Sequence, residues 1–243
     1  MSVATIFDTL SVKFDVMPNS ALAAGFIIKP EPSLKLGKAE RVCAEIQNAA
    51  IKFIWSNPFR DMTVNKLMAE TSVGRSAFYY HFTDLHELME TLLNRLGSEI
   101  MEGASPWLTE DGDPVALLHA SLAAEVKICF SRGPMLKAIS DAAGADARLE
   151  KAWHGLLDRF DHAVSERISA DQALGLVDSF DSRLVATVLN HADTALYIRA
   201  FGRKPRSQPG PVFDAISRVW ISTIYGKQWA EQSSSTLYRE QGE

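Results

Sequence analysis

Arg75, Ser76, Tyr79, Tyr80 and His81 fall within two helical turns of one another, and their side chains are suited to reading another molecule rather than to transforming one. Arg75 carries a planar fork able to hydrogen-bond guanine. Ser76 and Tyr79 can reach phosphate or base, and Tyr80 and His81 offer flat groups for backbone or thymine-methyl contact. A reaction centre needs polar groups converging in a cleft. Here they crowd onto a helix of about two turns that ends near Phe82 and follows a turn at Thr71 to Gly74.

Elsewhere the chemistry-bearing residues are more scattered. His81 and His86 are five apart, which does not place them on one helical face for a metal, and neither has a ligand partner at metal spacing. His154, His162 and His191 lack a paired serine or cysteine nucleophile, and the chain contains neither a Gly-x-Ser-x-Gly elbow nor a phosphate-cradling glycine loop. The acidic pairs Asp158/Asp161 and Asp178/Asp181 read as solvated helix faces and caps. The expectation is therefore no enzyme, no metal and no cofactor. The two cysteines, Cys43 and Cys129, have no zinc or disulfide spacing and read as core-filling residues.

The elements that hold these residues are helical throughout. Val42, Ile46, Ala49, Ala50 and Phe53 form one stripe, stopped at Asn57-Pro58. Thr63 caps a short helix that turns Val64, Leu67 and Met68 inward. Asp84, with Glu87 three residues on, starts a long helix to about Met101. Further helices are predicted at about 113–131, 134–142, 146–168, 181–201 and 209–226, with breaks at Gly133-Pro134, at Gly144, over 169–179 and in the 202–211 stretch GRKPRSQPGP. No segment sustains two-residue alternation. The fold class is all-α, with about nine helices divided between an N-terminal three-helix helix-turn-helix and a larger C-terminal helical domain. The organisation reads as an arm over 1–37, punctuated by Pro18, Pro30 and Pro32, a head over 38–83, a body over 84–228 and a frayed tail over 229–243.

A helix that enters the major groove needs a dry clamp behind it. Val42, Ile46, Val64, Leu67, Val73, Phe78 and Phe82 supply one. With Thr63-Val64, Leu67, Val73, the run Phe78-Tyr79-Tyr80-His81-Phe82 and the acidic helix start at Asp84 to Leu88, the segment 40–93 resembles the DNA-binding domain of the TetR family. The resemblance implies phosphate or base contacts for Thr63, Asn65, Arg75, Ser76, Tyr79, Tyr80 and His81. Three positions depart from the family pattern. The turn glycine is Ser72, less suited to a left-handed backbone. The capping serine is Gly74, a weaker cap. The lysine that opens the fourth helix is Leu85, which removes a phosphate contact and points to modest affinity or to help from the arm.

Charge fits a compact footprint better than a basic stripe. The chain carries −5 overall, but residues 1–82 hold nine Lys+Arg against seven Asp+Glu, and the excess acid lies beyond them. Apolar runs of about 18 residues are lacking, and Asp8, Lys13 and Asp15 interrupt the N-terminal apolar pieces. The sequence therefore predicts a cytoplasmic protein that neither spans nor binds a membrane.

The body is richer in aromatics than a small bundle core requires. Trp107, Trp153/Leu157, the stretch around Tyr197 and VWISTIYG at 219–226 are similar to the TetR branch typified by the ethionamide-resistance repressor. That likeness implies a tunnel for an apolar small molecule, with Trp107, Phe130, Trp153, Leu157, Phe160, His191, Tyr197 and Trp220 as its wall and His154, Asn190 and Thr194 as further polar candidates. Because one short reading helix covers few bases, a homodimer on a palindromic double-stranded operator is expected. Its interface is expected to use Leu184, Val188, Ala192, Ala195 and Arg199 of one helix and Ile216, Val219, Thr223 and Tyr225 of the next. The function expected is a transcriptional regulator, a repressor released by an apolar effector. The rival is an all-α carrier or sequestering protein with a vestigial helix-turn-helix.

Overall fold

The computed structural model describes the backbone of residues 37–239 and the side chains of 37–226; the proposed arm and the last four residues of the tail lie outside it. Among the described residues every regular element is helical: α1 (Lys38–Ile54), a 3-10 turn (Phe59–Asp61), α2 (Val64–Met68), α3 (Arg75–His81), α4 (Leu85–Thr109), α5 (Pro114–Ala143), α6 (Ala147–Ala173), α7 (Ser182–Phe201) and α8 (Pro209–Arg239). The α8 backbone departs from helical geometry at Tyr225 and continues through residues that lost periodicity in sequence.

Among the described residues eight helices stand where nine were expected, because Gly133-Pro134 does not break the chain. α5 passes straight through both residues. Proline removes the N–H that would bond the carbonyl four residues earlier, that of Phe130. In its place Arg206 donates Nη1–H to the Phe130 oxygen at 2.6 Å, with its guanidinium 4.3 Å from the Phe130 ring centroid. Gly133 lets α7 approach: a Cβ there would lie 2.4 Å from the Phe201 carbonyl oxygen. A tertiary partner thus supplies what local sequence withholds.

The first three helices close over a dry clamp. Ile46, Leu67, Phe78 and Phe82 are buried, with Val42, Val64 and Val73 packed against them. Thr63 accepts Lys66 N–H, as an N-cap should. Ser72 takes no left-handed backbone, since among the described residues only glycines have positive φ. Its backbone N–H and hydroxyl both donate to the Glu45 carboxylate on α1, which holds the turn without the missing glycine. Gly74 makes no side-chain cap for α3. Asp84 caps α4 through Glu87 N–H at 2.8 Å, while the Glu87 carboxylate reaches back one residue further than expected, to Thr83 N–H and Oγ1.

Behind the head, α5 is the central helix and packs on α4, α6, α7 and α8. By length and apolarity it would pass for a bilayer span, but its neighbours account for that composition. Ion pairs bind the head-bearing α4 to the body: Arg148 at the start of α6 bridges Asp84 (2.8 Å) and Glu90 (2.7 Å), and His86 meets Asp146 at 2.7 Å.

Candidate functional site

The two sets of residues singled out in sequence occupy opposite ends of α4. At the head, Phe78 points inward and is fully buried, which turns the rest of α3 outward. Tyr80 is 78% exposed and Tyr79 49%. Thr63, Asn65, Arg75 and Ser76 are exposed and His81 is half-buried. Arg75 donates Nη2–H to Tyr79 Oη at 3.0 Å and lies over its ring, while His81 meets Tyr80 edge-on. These contacts are local to the helix, so the reading groups are stiffened without being covered. Of the seven residues expected to touch nucleic acid, six are exposed and His81 is half-buried.

At the other end a cavity of about 60 Å³ opens between α4, α5, α6, α7 and α8. Trp107, Trp153, Leu157, Phe160, Tyr197 and Trp220 line it, together with Asn190 and Thr194. Trp107 and Trp220 meet edge to face, 5.9 Å between centroids. Met101, Leu108 and Ala163 belong both to this cavity and to an open groove on the surface between α4 and α6. The groove and the cavity thus share part of the wall that α4 supplies.

Three expected positions lie elsewhere. Phe130 packs on Phe201 and under Arg206, because the Gly133–Phe201 approach pulls that part of α5 against the end of α7. His191 is exposed, one residue past the inward face of α7, with Nε2 3.9 Å from Asp161. His154, next to buried Trp153, is exposed on the outer side of α6. In both histidines the 100° step between neighbours reverses the direction of the side chain.

Sequence reasoning missed Glu125. It lines the cavity from α5, and burial pushes its carboxyl up to about 7. Asp193 on α7 is also displaced well upward by burial, although its Oδ2 accepts the Trp220 indole N–H at 2.6 Å. The signal was present in sequence as a lone acid in the apolar stretch LLHASLAAEVKICF. Nothing in periodicity distinguished an inward acid from an outward one.

The model of the EthR C-terminal domain, a transcriptional regulator, matches residues 118–226, the body that encloses the cavity. That part of the chain is thus similar to regulators of the EthR type, and the fold as a whole is similar to that of TetR-family structures. The HTH-type transcriptional regulator EthR of Mycolicibacterium smegmatis is 20% identical over 186 residues, 75% of this chain and 86% of that protein. EthR of Mycobacterium tuberculosis is 21% identical over 175 residues, 70% and 81%. A putative TetR-family regulator from Syntrophomonas wolfei superposes with a TM-score of 0.65 at 14% identity, over 76% of this chain and 95% of that one. A putative transcriptional regulator from Saccharomonospora viridis, solved with choline, gives 0.60 at 14%, over 76% and 97%. On the outer faces of α7 and α8 lies an exposed strip with several apolar residues. Leu184 is 64% exposed, Val188 67% and Val219 49%, with Ala192, Ala195, Arg199 and Thr223 also exposed. Ile216 and Tyr225, expected on the same strip, belong to the core, with Tyr225 turned inward to Trp107 of α4 and Asp171 of α6.

Proposed function

We propose that this chain is a TetR-family transcriptional regulator that represses from a palindromic operator and is released when a small, largely apolar molecule widens the cavity between α4 and α8. The observation that carries the reading is the span of α4. It begins at the reading head and ends with Trp107 in the cavity wall. Drug-sized ligands need roughly 300–1,000 Å³, more than the enclosed space offers, so an occupant must displace helices. Its leverage on the spacing of two heads equals its difference in affinity for the two arrangements.

Thr63, Asn65, Arg75, Ser76, Tyr79, Tyr80 and His81 make the operator contacts in this reading, and the strips of α7 and α8 form the dimer. The choline held by the Saccharomonospora viridis protein supports small-molecule capture within this fold. A regulator of this kind works beside the chromosome, in the cytoplasm.

Selection of bound duplexes from a random pool tests the reading. A two-fold symmetric consensus is expected, and Arg75→Ala should lower affinity by about 10- to 100-fold, equivalent to roughly 1–3 kcal/mol, while relaxing choice at one base pair per half-site. A protein that selects no sequence, or an Arg75→Ala variant that binds unchanged, would favour a carrier whose helix-turn-helix is vestigial.

A further inference from the structure

The cavity carries a polar feature that an apolar occupant leaves unsatisfied. Tyr197 is 2% exposed, lines the chamber, and its hydroxyl has no hydrogen-bond partner. Glu125 is partly accessible although it lies on the central helix between buried Leu122, Val126 and Cys129, so its accessible surface opens into the chamber. Among the described residues no donor or cation reaches its carboxylate, whereas Asp193 nearby has the Trp220 indole N–H. Buried polar groups without partners are costly, and an acid in such a place is a standing demand for a proton or a positive charge.

The rest of the wall says which ligands can meet that demand. Lysine, arginine and histidine are all missing from the chamber lining, so an anionic head finds no counter-charge there. Aromatic faces are plentiful: Trp107, Trp153, Tyr197 and Trp220 surround the space, and such faces attract cations. Asn190 and Thr194 stand on the same side of α7 as Tyr197, two turns and one turn earlier respectively. One acid, an unpartnered hydroxyl, several π faces and no base form a receptor for an N–H-bearing cation on an apolar body.

We propose that the effector is an apolar amine, whose protonated head pairs with Glu125 and bonds Tyr197 Oη while its hydrocarbon part lies among the tryptophans and leucines. The inference rests on the effector-binding reading above and narrows it to one ligand class. Burial, which pushes the Glu125 carboxyl up to about 7, gives the same account from the other side: a bound ammonium favours the ionised form that the empty chamber disfavours.

Octylamine, 1-octanol and octanoate share a tail and differ in the head. Their binding is followed by the fluorescence of the cavity tryptophans, in the dimer as purified and in Glu125→Gln. Octylamine should bind the wild-type protein at least about tenfold more tightly than octanol, with octanoate weakest. Glu125→Gln, which removes a buried charge and is expected to fold at least as well, should bring amine and alcohol together while leaving octanol unchanged. Since the chain is acidic overall, at −5, amines also adsorb to its surface; only the preference that Glu125→Gln abolishes counts. If octanol or octanoate matches the amine, or if Glu125→Gln keeps the preference, the cationic assignment is wrong while the cavity reading stands. If none of the three compounds binds, the cavity reading falls as well.

Discussion

Trp107 donates its indole N–H to Tyr225 Oη at 2.9 Å, joining the end of α4 to α8 across more than a hundred residues of chain. Tyr225 in turn donates to Asp171 on α6, whose Oδ2 also accepts from Arg167 Nε at 3.2 Å. The network clamps the far end of the helix that carries the head. Tyr225→Phe removes one acceptor and one donor from it while keeping the ring, so the buried Trp107 indole N–H loses its partner and Asp171 is left with Arg167. The expected cost is roughly 2–4 kcal/mol, read as a lower urea midpoint at unchanged slope. A midpoint within experimental error of wild type would show the network to be energetically idle.

Arg206 contributes to stability through a carbonyl that Pro134 cannot serve. Arg206→Ala should cost about 1.5–3 kcal/mol, the range for a hydrogen bond to a charged group. In a Pro134→Ala background the restored N–H occupies the Phe130 oxygen, so the same truncation should cost less. A double-mutant cycle in urea gives the coupling directly. Equal costs in both backgrounds would mean that stacking on Phe130 and Trp55, not the hydrogen bond, is what Arg206 provides.

Three helical glycines should respond to alanine in different ways. A Cβ at Gly133 meets the Phe201 backbone at 2.4 Å, which cannot yield without moving α7, so Gly133→Ala should destabilise by about 1–3 kcal/mol. At Gly97 the obstacle is the Leu156 side-chain tip, also at 2.4 Å, which can rotate, so the cost should be smaller. Gly155 has nothing within 4 Å, and Gly155→Ala should gain about 0.5–1 kcal/mol from helix propensity. Thermal unfolding of the three variants should rank them in that order.

Stability should fall as pH rises across the range in which Glu125 ionises. Its folded carboxyl is raised from the ordinary 4.5 to about 7, so between those values the unfolded chain has already released the proton that the native chamber retains. The favourable contribution is complete below about 4.5 and is lost by about 7, with an upper bound of roughly 3 kcal/mol. Asp193 is also raised, by burial and then by the nearby Glu125 charge, so Glu125→Gln should flatten the slope between pH 5 and 8 without abolishing it. Urea midpoints at those two pH values are the measurement. A variant slope identical to wild type would place the responsible group elsewhere.

Residues 40–93 made the head legible because its determinants are local. The Thr63 and Asp84 caps, the 3.6-residue stripes and the aromatic run at 78–82 act within a turn or two of their own positions, and an outward α3 follows once Phe78 faces in. Gly74, which gives α3 no side-chain cap, behaves as its chemistry suggests. Ser72 does not, because its compensation comes from Glu45, 27 residues earlier.

The chain by itself determined that the fold is all-helical, where most helices start and stop, and which groups the short third helix presents. Those outcomes follow from backbone hydrogen bonding and side-chain periodicity, which are short-range. Tertiary structure alone decided that Pro134 lies mid-helix, that Ile216 and Tyr225 turn inward while Val219 stays outside, that Phe130 and His191 miss the cavity, and that Glu125 faces into it. Each of these depends on the rotation of one helix against its neighbours. A rotation of one residue, 100°, exchanges a wall position for a solvent one, and only packing against partners distant in sequence selects between them.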